Sequence, residues 1–206
     1  MAPRSPRWRC SSARVRPVRG GAGVRASGRD DAGETRLTRT IRPVTPTLPR
    51  APGIDRLSAH HLHALAVAVL IDRYLKVDPT PGRLAEIAGK VAGFAEKELF
   101  PHFQVEETAL LPALRQALDS DPLIDQLIAH HRNMETLVGR LAGSSAHERA
   151  SLLRQFGASL RRHIRMEEVE LFRQIDGRLD EAGREELGLK VDEARRAMGL
   201  TVHRLW

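Results

Sequence analysis

Residues 102–110 read His102-Phe-Gln-Val-Glu106-Glu107-Thr-Ala-Leu110, and residues 163–171 read His163-Ile-Arg-Met-Glu167-Glu168-Val-Glu-Leu171. In each, a histidine stands four residues before the first of two glutamates, and a leucine follows after four more. Positions i and i+4 share a helix face, so His102 lies with Glu106 and Leu110, and His163 with Glu167 and Leu171. A second echo precedes each of these: Leu57-Ser-Ala-His60-His61 and Leu127-Ile-Ala-His130-His131. The chain reads as a duplicated helical hairpin. Each half is a helix with a His pair followed by a helix with His-x-x-x-Glu-Glu, and the two halves should meet about a pseudo-two-fold axis.

Apolar residues continue the same faces outward. The second helix carries Leu84, Ile87, Val91 and Phe94 ahead of His102, and Ala113 beyond Leu110. The fourth carries Leu152, Phe156 and Leu160 ahead of His163, and Ile175 beyond Leu171. Leu57, His61, Leu65, Ala68 and Ile71 form the seam of the first helix, and Ile124, Leu127, His131, Met134, Val138 and Leu141 that of the third. Breakers at Asp78-Pro79-Thr80-Pro81-Gly82, Asp119-Ser120-Asp121-Pro122 and Gly143-Ser144-Ser145 bound four helical segments, about 54–77, 83–118, 122–142 and 147–178. A fifth, shorter and mostly polar stretch, about 180–198, should pack on the outside. Short connections make successive helices antiparallel, so the expected fold is all-α, an up-down-up-down four-helix bundle over 53–178 with a helical extension at 179–206. Gly93 and Pro101 predict a bend or break in the second helix.

Only 4% of residues are aromatic, which favours a helical core of Leu, Ala, Val and Ile over a sheet. The single cysteine, Cys10, excludes an internal disulfide or a Cys-rich metal site. The net charge of +7 belongs to one end. Residues 1–50 hold twelve arginines and three acids, whereas the remainder has 21 basic and 23 acidic residues. Residues 1–52 lack apolar periodicity and read as a disordered Arg-rich tail. It is a flexible arm, a targeting peptide, or translated upstream sequence with the true start near residue 50. Nucleic acid would be reached only through this tail. The longest apolar run, Ala64 to Ile71, is far short of the roughly 20 residues of a spanning helix. No membrane association and a cytoplasmic location are expected.

Four imidazoles and two carboxylates aimed into one core are costly unless something pairs with them. Any one of them reads well as an exposed or hydrogen-bonded helix polar. Six of them, on four helices and repeated in two halves, point to metal. Imidazole and carboxylate without thiolate suit iron, manganese or zinc. Two His-His-Glu sets suggest two ions, with the glutamates placed to bridge and about two of roughly twelve octahedral positions left open for a small ligand. No glutamate precedes a histidine by three residues, so the ferritin-like di-metal signature is absent. His-Glu-x-x-His is absent as well. The expected ligands are His61, His102, Glu106, His131, His163 and Glu167. His60 and His130 are the alternative register, and His63 is a supporting or surface residue. Glu107 and Glu168 are read as solvated, or as standing behind the ligands. His147 and His203 receive no role.

These residues resemble the hemerythrin-like (HHE cation-binding) domain, over about 54–178. The likeness rests on His61, on His102-x-x-x-Glu106 followed by Leu110-Leu111-Pro112, on His131, and on His163-x-x-x-Glu167-Glu168 with Leu171-Phe172. It implies a four-helix bundle around a non-haem di-iron centre, oxo- or hydroxo-bridged, that binds or senses dioxygen, nitric oxide or iron. Manganese or zinc is the lesser alternative. Oxygen-carrying members have a fifth histidine four residues after the first on the third helix, where this chain has Glu135. The related iron–sulfur cluster repair proteins add a domain with paired cysteines, which Cys10 alone does not supply. A binding or sensing protein is therefore expected ahead of an oxidoreductase that reduces dioxygen, peroxide or nitric oxide, and ahead of a metal-free helical interaction module. Tyr74 is the one tyrosine available to redox chemistry.

Overall fold

The computed structural model describes residues 51–117 and 121–200. The Arg-rich tail and His203 lie outside these residues. Five helical runs account for the described chain, with no strand among the described residues. Helix α1 is Pro52–Val77, α3 is Pro122–Leu141 and α5 is Glu181–Ala197. Helix α2 spans 81–117 and α4 spans 146–178, each a continuous run of α-helix interrupted by wider π-helical turns.

Local chemistry sets the starts. Pro81 and Pro122 occupy the first turns of α2 and α3, where a missing N–H costs nothing. Asp121 accepts the Leu123 N–H at 2.9 Å. Ser145 and Glu148 form a reciprocal capping box at the start of α4. Asp180 accepts the Gly183 N–H at 2.8 Å to open α5.

Where a bend or break in α2 is expected, the helix runs on through a widened turn. A π-helical turn at Ala95–Leu99 is closed by the Phe100 N–H bonding to Ala95 O, five residues back. Pro101 would otherwise press its ring on the carbonyl four residues before it, and the wider turn relieves that crowding. Two further π turns are related by the repeat. Leu111 N–H bonds to Glu106 O in α2, and Phe172 N–H bonds to Glu167 O in α4.

The core is divided. One apolar cluster gathers Ala64, Val67, Ala68 and Ile71 of α1 with Val91, Phe94 and Phe103 of α2, Met134 and Leu141 of α3, and Phe156 and Leu160 of α4. The other gathers Ile54 and Leu57 of α1, Leu110 and Leu114 of α2, Ile124 and Leu127 of α3, Leu171 and Ile175 of α4, and Leu187 and Val191 of α5. Helices α1 and α3 therefore run from the second cluster to the first, and α2 and α4 from the first to the second. That is the up-down-up-down order. Between the clusters, at one level on all four helices, lie the histidines and glutamates.

Helix α5 packs against α1 and α2. Its contact with α1 is a close backbone approach. A Cβ on Gly53 would sit 2.0 Å from Gly188 O, and one on Gly188 would sit 2.6 Å from the Ala51 Cβ. Gly199, with φ of 62°, takes the left-handed conformation just beyond α5.

Candidate metal centre

The period of 3.6 residues brings one His from α1 and one from α3, with a His and a Glu from each of α2 and α4, to the same depth. His61, His102, Glu106, His131, His163 and Glu167 are each at most 3% exposed. They form two overlapping sets, His61, His102, Glu106 and Glu167, and Glu106, His131, His163 and Glu167. In each set, one ligand-type atom per residue lies within 4.8 Å of all the others. Both glutamates belong to both sets. Glu106 places Oε1 2.7 Å from His102 Nε2 and Oε2 3.2 Å from His131 Nε2. Glu167 Oε2 stands 3.0 Å from His61 Nε2 and 3.6 Å from His163 Nε2. Each set contains the second histidine of its pair, His61 or His131. His60 lies outside both sets, its ring 5.6 Å from that of His102, and His130 likewise, 6.2 Å from His163.

These inward atoms approach one another without satisfying one another. Both oxygens of Glu106 and of Glu167, Nε2 of His131 and both nitrogens of His163 are buried with no hydrogen-bond partner. His61 Nε2 and His102 Nε2 lie 3.1 Å apart. Buried polar atoms left this way cost about 1–3 kcal/mol each. A cation among them would receive lone pairs from every one of these groups, so the donor set fits a metal.

Behind the inward atoms stands a second pair of carboxylates. Glu168 Oε1 lies 2.7 Å from His61 Nδ1, and Ser58 Oγ donates to the same oxygen. Glu107 Oε1 lies 2.7 Å from His131 Nδ1, and the Arg132 guanidinium donates to the other oxygen. The preferred reading of Glu107 and Glu168 as solvated is corrected by these contacts. Each is the next residue after an inward glutamate, and the helix turn aims it at the neighbouring α1 or α3 histidine.

Protons are unevenly held in the metal-free cluster. Burial works against charge on His61, yet Glu106, Glu167 and Glu168 outweigh it and raise the imidazole well above its usual range. His131 is raised against burial by Glu106 and Glu107. Burial and the surrounding imidazoles push His163 well below its ordinary value, so it stays neutral. Glu106 is held well below the carboxylate range, the imidazoles overcoming its burial. Burial and the Glu106 charge raise Glu167. Burial and His102 lower His60 to about 4.

Two phenylalanines brace the rings. Phe103 stacks on His131 with centroids 3.9 Å apart and planes at 11°. Phe172 lies nearly parallel to His61 at 6.0 Å. A cavity of about 10 Å³ adjoins the cluster, lined by His60, His61, His102, His163 and Glu98 and by apolar residues including Phe94, Leu160 and Ile164. That is room for one water-sized molecule.

One pair escaped the sequence reading. Glu98 is 5% exposed, and its Oε2 lies 2.6 Å from His63 Nδ1. Glu98 stands one helical turn before His102 on the same face, which signals its burial but not its partner.

The hemerythrin HHE cation-binding domain matches residues 52–175. No curated protein and no solved structure gives a significant match.

Proposed function

This chain belongs to the hemerythrin HHE cation-binding family, and from that premise we propose that it is a non-haem di-iron protein that binds or senses a small ligand such as dioxygen or nitric oxide. The observation that carries the reading is the pair of buried four-residue sets sharing Glu106 and Glu167. His61 and His102 would hold one iron and His131 and His163 the other, with the two glutamates between them. An iron pair so held supplies redox-active coordination positions for a small molecule. The likeness to hemerythrin favours iron ahead of manganese or zinc, since the donor set alone suits all three.

The chain's own residues do the rest. Glu168 and Glu107 accept the Nδ1–H of His61 and His131, which fixes the tautomer and turns each Nε2 lone pair inward. Phe103 and Phe172 lie against the rings of His131 and His61, and Leu110 and Leu171, one turn beyond the glutamates, are buried in the second apolar cluster. The small, largely apolar cavity supports a diatomic ligand over a large substrate. A metal-free interaction module would leave the inward atoms buried without partners, at a cost of several kcal/mol.

Anaerobic titration of the ferrous protein with nitric oxide tests the ligand reading. Saturable spectral change is expected. An iron-loaded protein whose spectrum nitric oxide leaves untouched would overturn it.

A further inference from the structure

The two halves of the duplicated site carry equivalent cross-helix pairs of different chemistry. Aligning His61 with His131 and His102 with His163 makes His63 equivalent to Asn133, and Glu98 equivalent to Ser159. The structure pairs both couples. His63 Nδ1 lies 2.6 Å from Glu98 Oε2, and Asn133 Nδ2 donates to Ser159 Oγ at 3.2 Å. Yet the first couple is nearly buried while the second is exposed. The same alignment makes Phe103 equivalent to Ile164. Phe103 covers His131, whereas Ile164 forms part of the wall of the cavity beside His61 and His102.

From this asymmetry we infer that Glu98, held by His63, is the selectivity residue of the cavity and favours protic ligands over aprotic anions. The inference rests on the proposed metal centre. Among the described residues Glu98 is the one carboxylate in the wall, and it belongs to neither four-residue set. A carboxylate oxygen accepts a hydrogen bond from water, hydroxide or a hydroperoxide. It offers only lone pairs to an anion such as azide, which has no proton to donate. The His63 contact fixes the carboxylate against the wall, so it cannot swing away at no cost when an anion arrives. Ser159 lies in the half whose histidine is covered by a ring, and no such selection operates there.

The test is azide affinity of the iron-loaded ferric protein, followed in the visible spectrum. Glu98→Gln keeps the shape, retains an oxygen for His63 and adds an amide donor for azide. Azide is expected to bind about tenfold more tightly than to the wild type, the net worth of about one hydrogen bond. Ser159→Ala should leave the affinity unchanged. Should Glu98→Gln fold poorly, His63→Asn combined with Glu98→Ser installs the pair the other half already accommodates, and it should tighten azide binding likewise. Damage to the fold would weaken binding, not tighten it. Iron-loaded variants with wild-type azide affinity overturn the role of Glu98 alone. Chains that hold no iron overturn this inference together with the metal centre beneath it.

Discussion

Glu168 Oε1 stands 2.7 Å from Nδ1 of His61, and Glu107 repeats the relationship at His131. Both histidines come from the helices that bring no inward glutamate of their own, and each is oriented by a carboxylate from the other helical hairpin. A partner of this kind fixes ring orientation and raises ligand basicity. Glu168→Gln should therefore weaken metal binding about 10- to 100-fold, with helical content unchanged. Competition with a chromophoric chelator measures it.

Metal binding should release protons. His61 is raised well above its ordinary value because three carboxylates outweigh its burial, so it is protonated at neutral pH in the metal-free chain. An incoming ion must displace that proton, whereas His163, lowered by burial, has none to give. Affinity should thus climb as pH rises and fall as the solution is acidified. In the metal-free chain the raised His61 adds stability that is fully present below about 6.5 and is lost as pH climbs through its raised value. Calorimetry in two buffers of different ionisation enthalpy should report at least about one proton released at pH 7.

Phe103 is fully enclosed and lies flat on His131 at 3.9 Å. Phe103→Ala should cost about 3–5 kcal/mol in urea unfolding, the usual range for a buried phenylalanine truncated to alanine. Chain stability should fall in the metal-free and metal-loaded protein alike, which separates packing from ligation.

The Gly53–Gly188 contact leaves no room for a side chain. Gly53→Ala places a Cβ 2.0 Å from a backbone oxygen that cannot rotate aside. We expect a loss of about 1–3 kcal/mol as α5 is pushed from α1. Thermal unfolding checks it, and a transition matching the wild type would show that α5 accommodates the methyl by sliding.

Much of this was legible because the 3.6 period and the duplication are strong signals. Every seam residue of α3 and α4 is buried, and the second histidine of each pair is the one that belongs to a buried four-residue set. What escaped has physical reasons. Glu107 and Glu168 follow the inward glutamates by one residue, which points roughly 100° around the helix and looks like a solvated face until the neighbouring helix is in place. The π turns closed on Glu106 and Glu167 are invisible because the i, i+4 spacing that identifies each glutamate ends where the widened turn begins. The Glu98–His63 pair joins two helices, and no single-helix pattern contains it. Helix α5 was expected outside the bundle, but its close approach to α1 depends on two glycines 135 residues apart that carry no local signature.

The most direct test of the central claim is the iron content of the chain purified from iron-supplemented medium, beside that of Glu106→Ala. Glu106 belongs to both buried sets, so the account predicts two irons per chain in the wild type and loss of both in the variant. A wild-type chain that holds no iron, or a Glu106→Ala chain that keeps both, would contradict it.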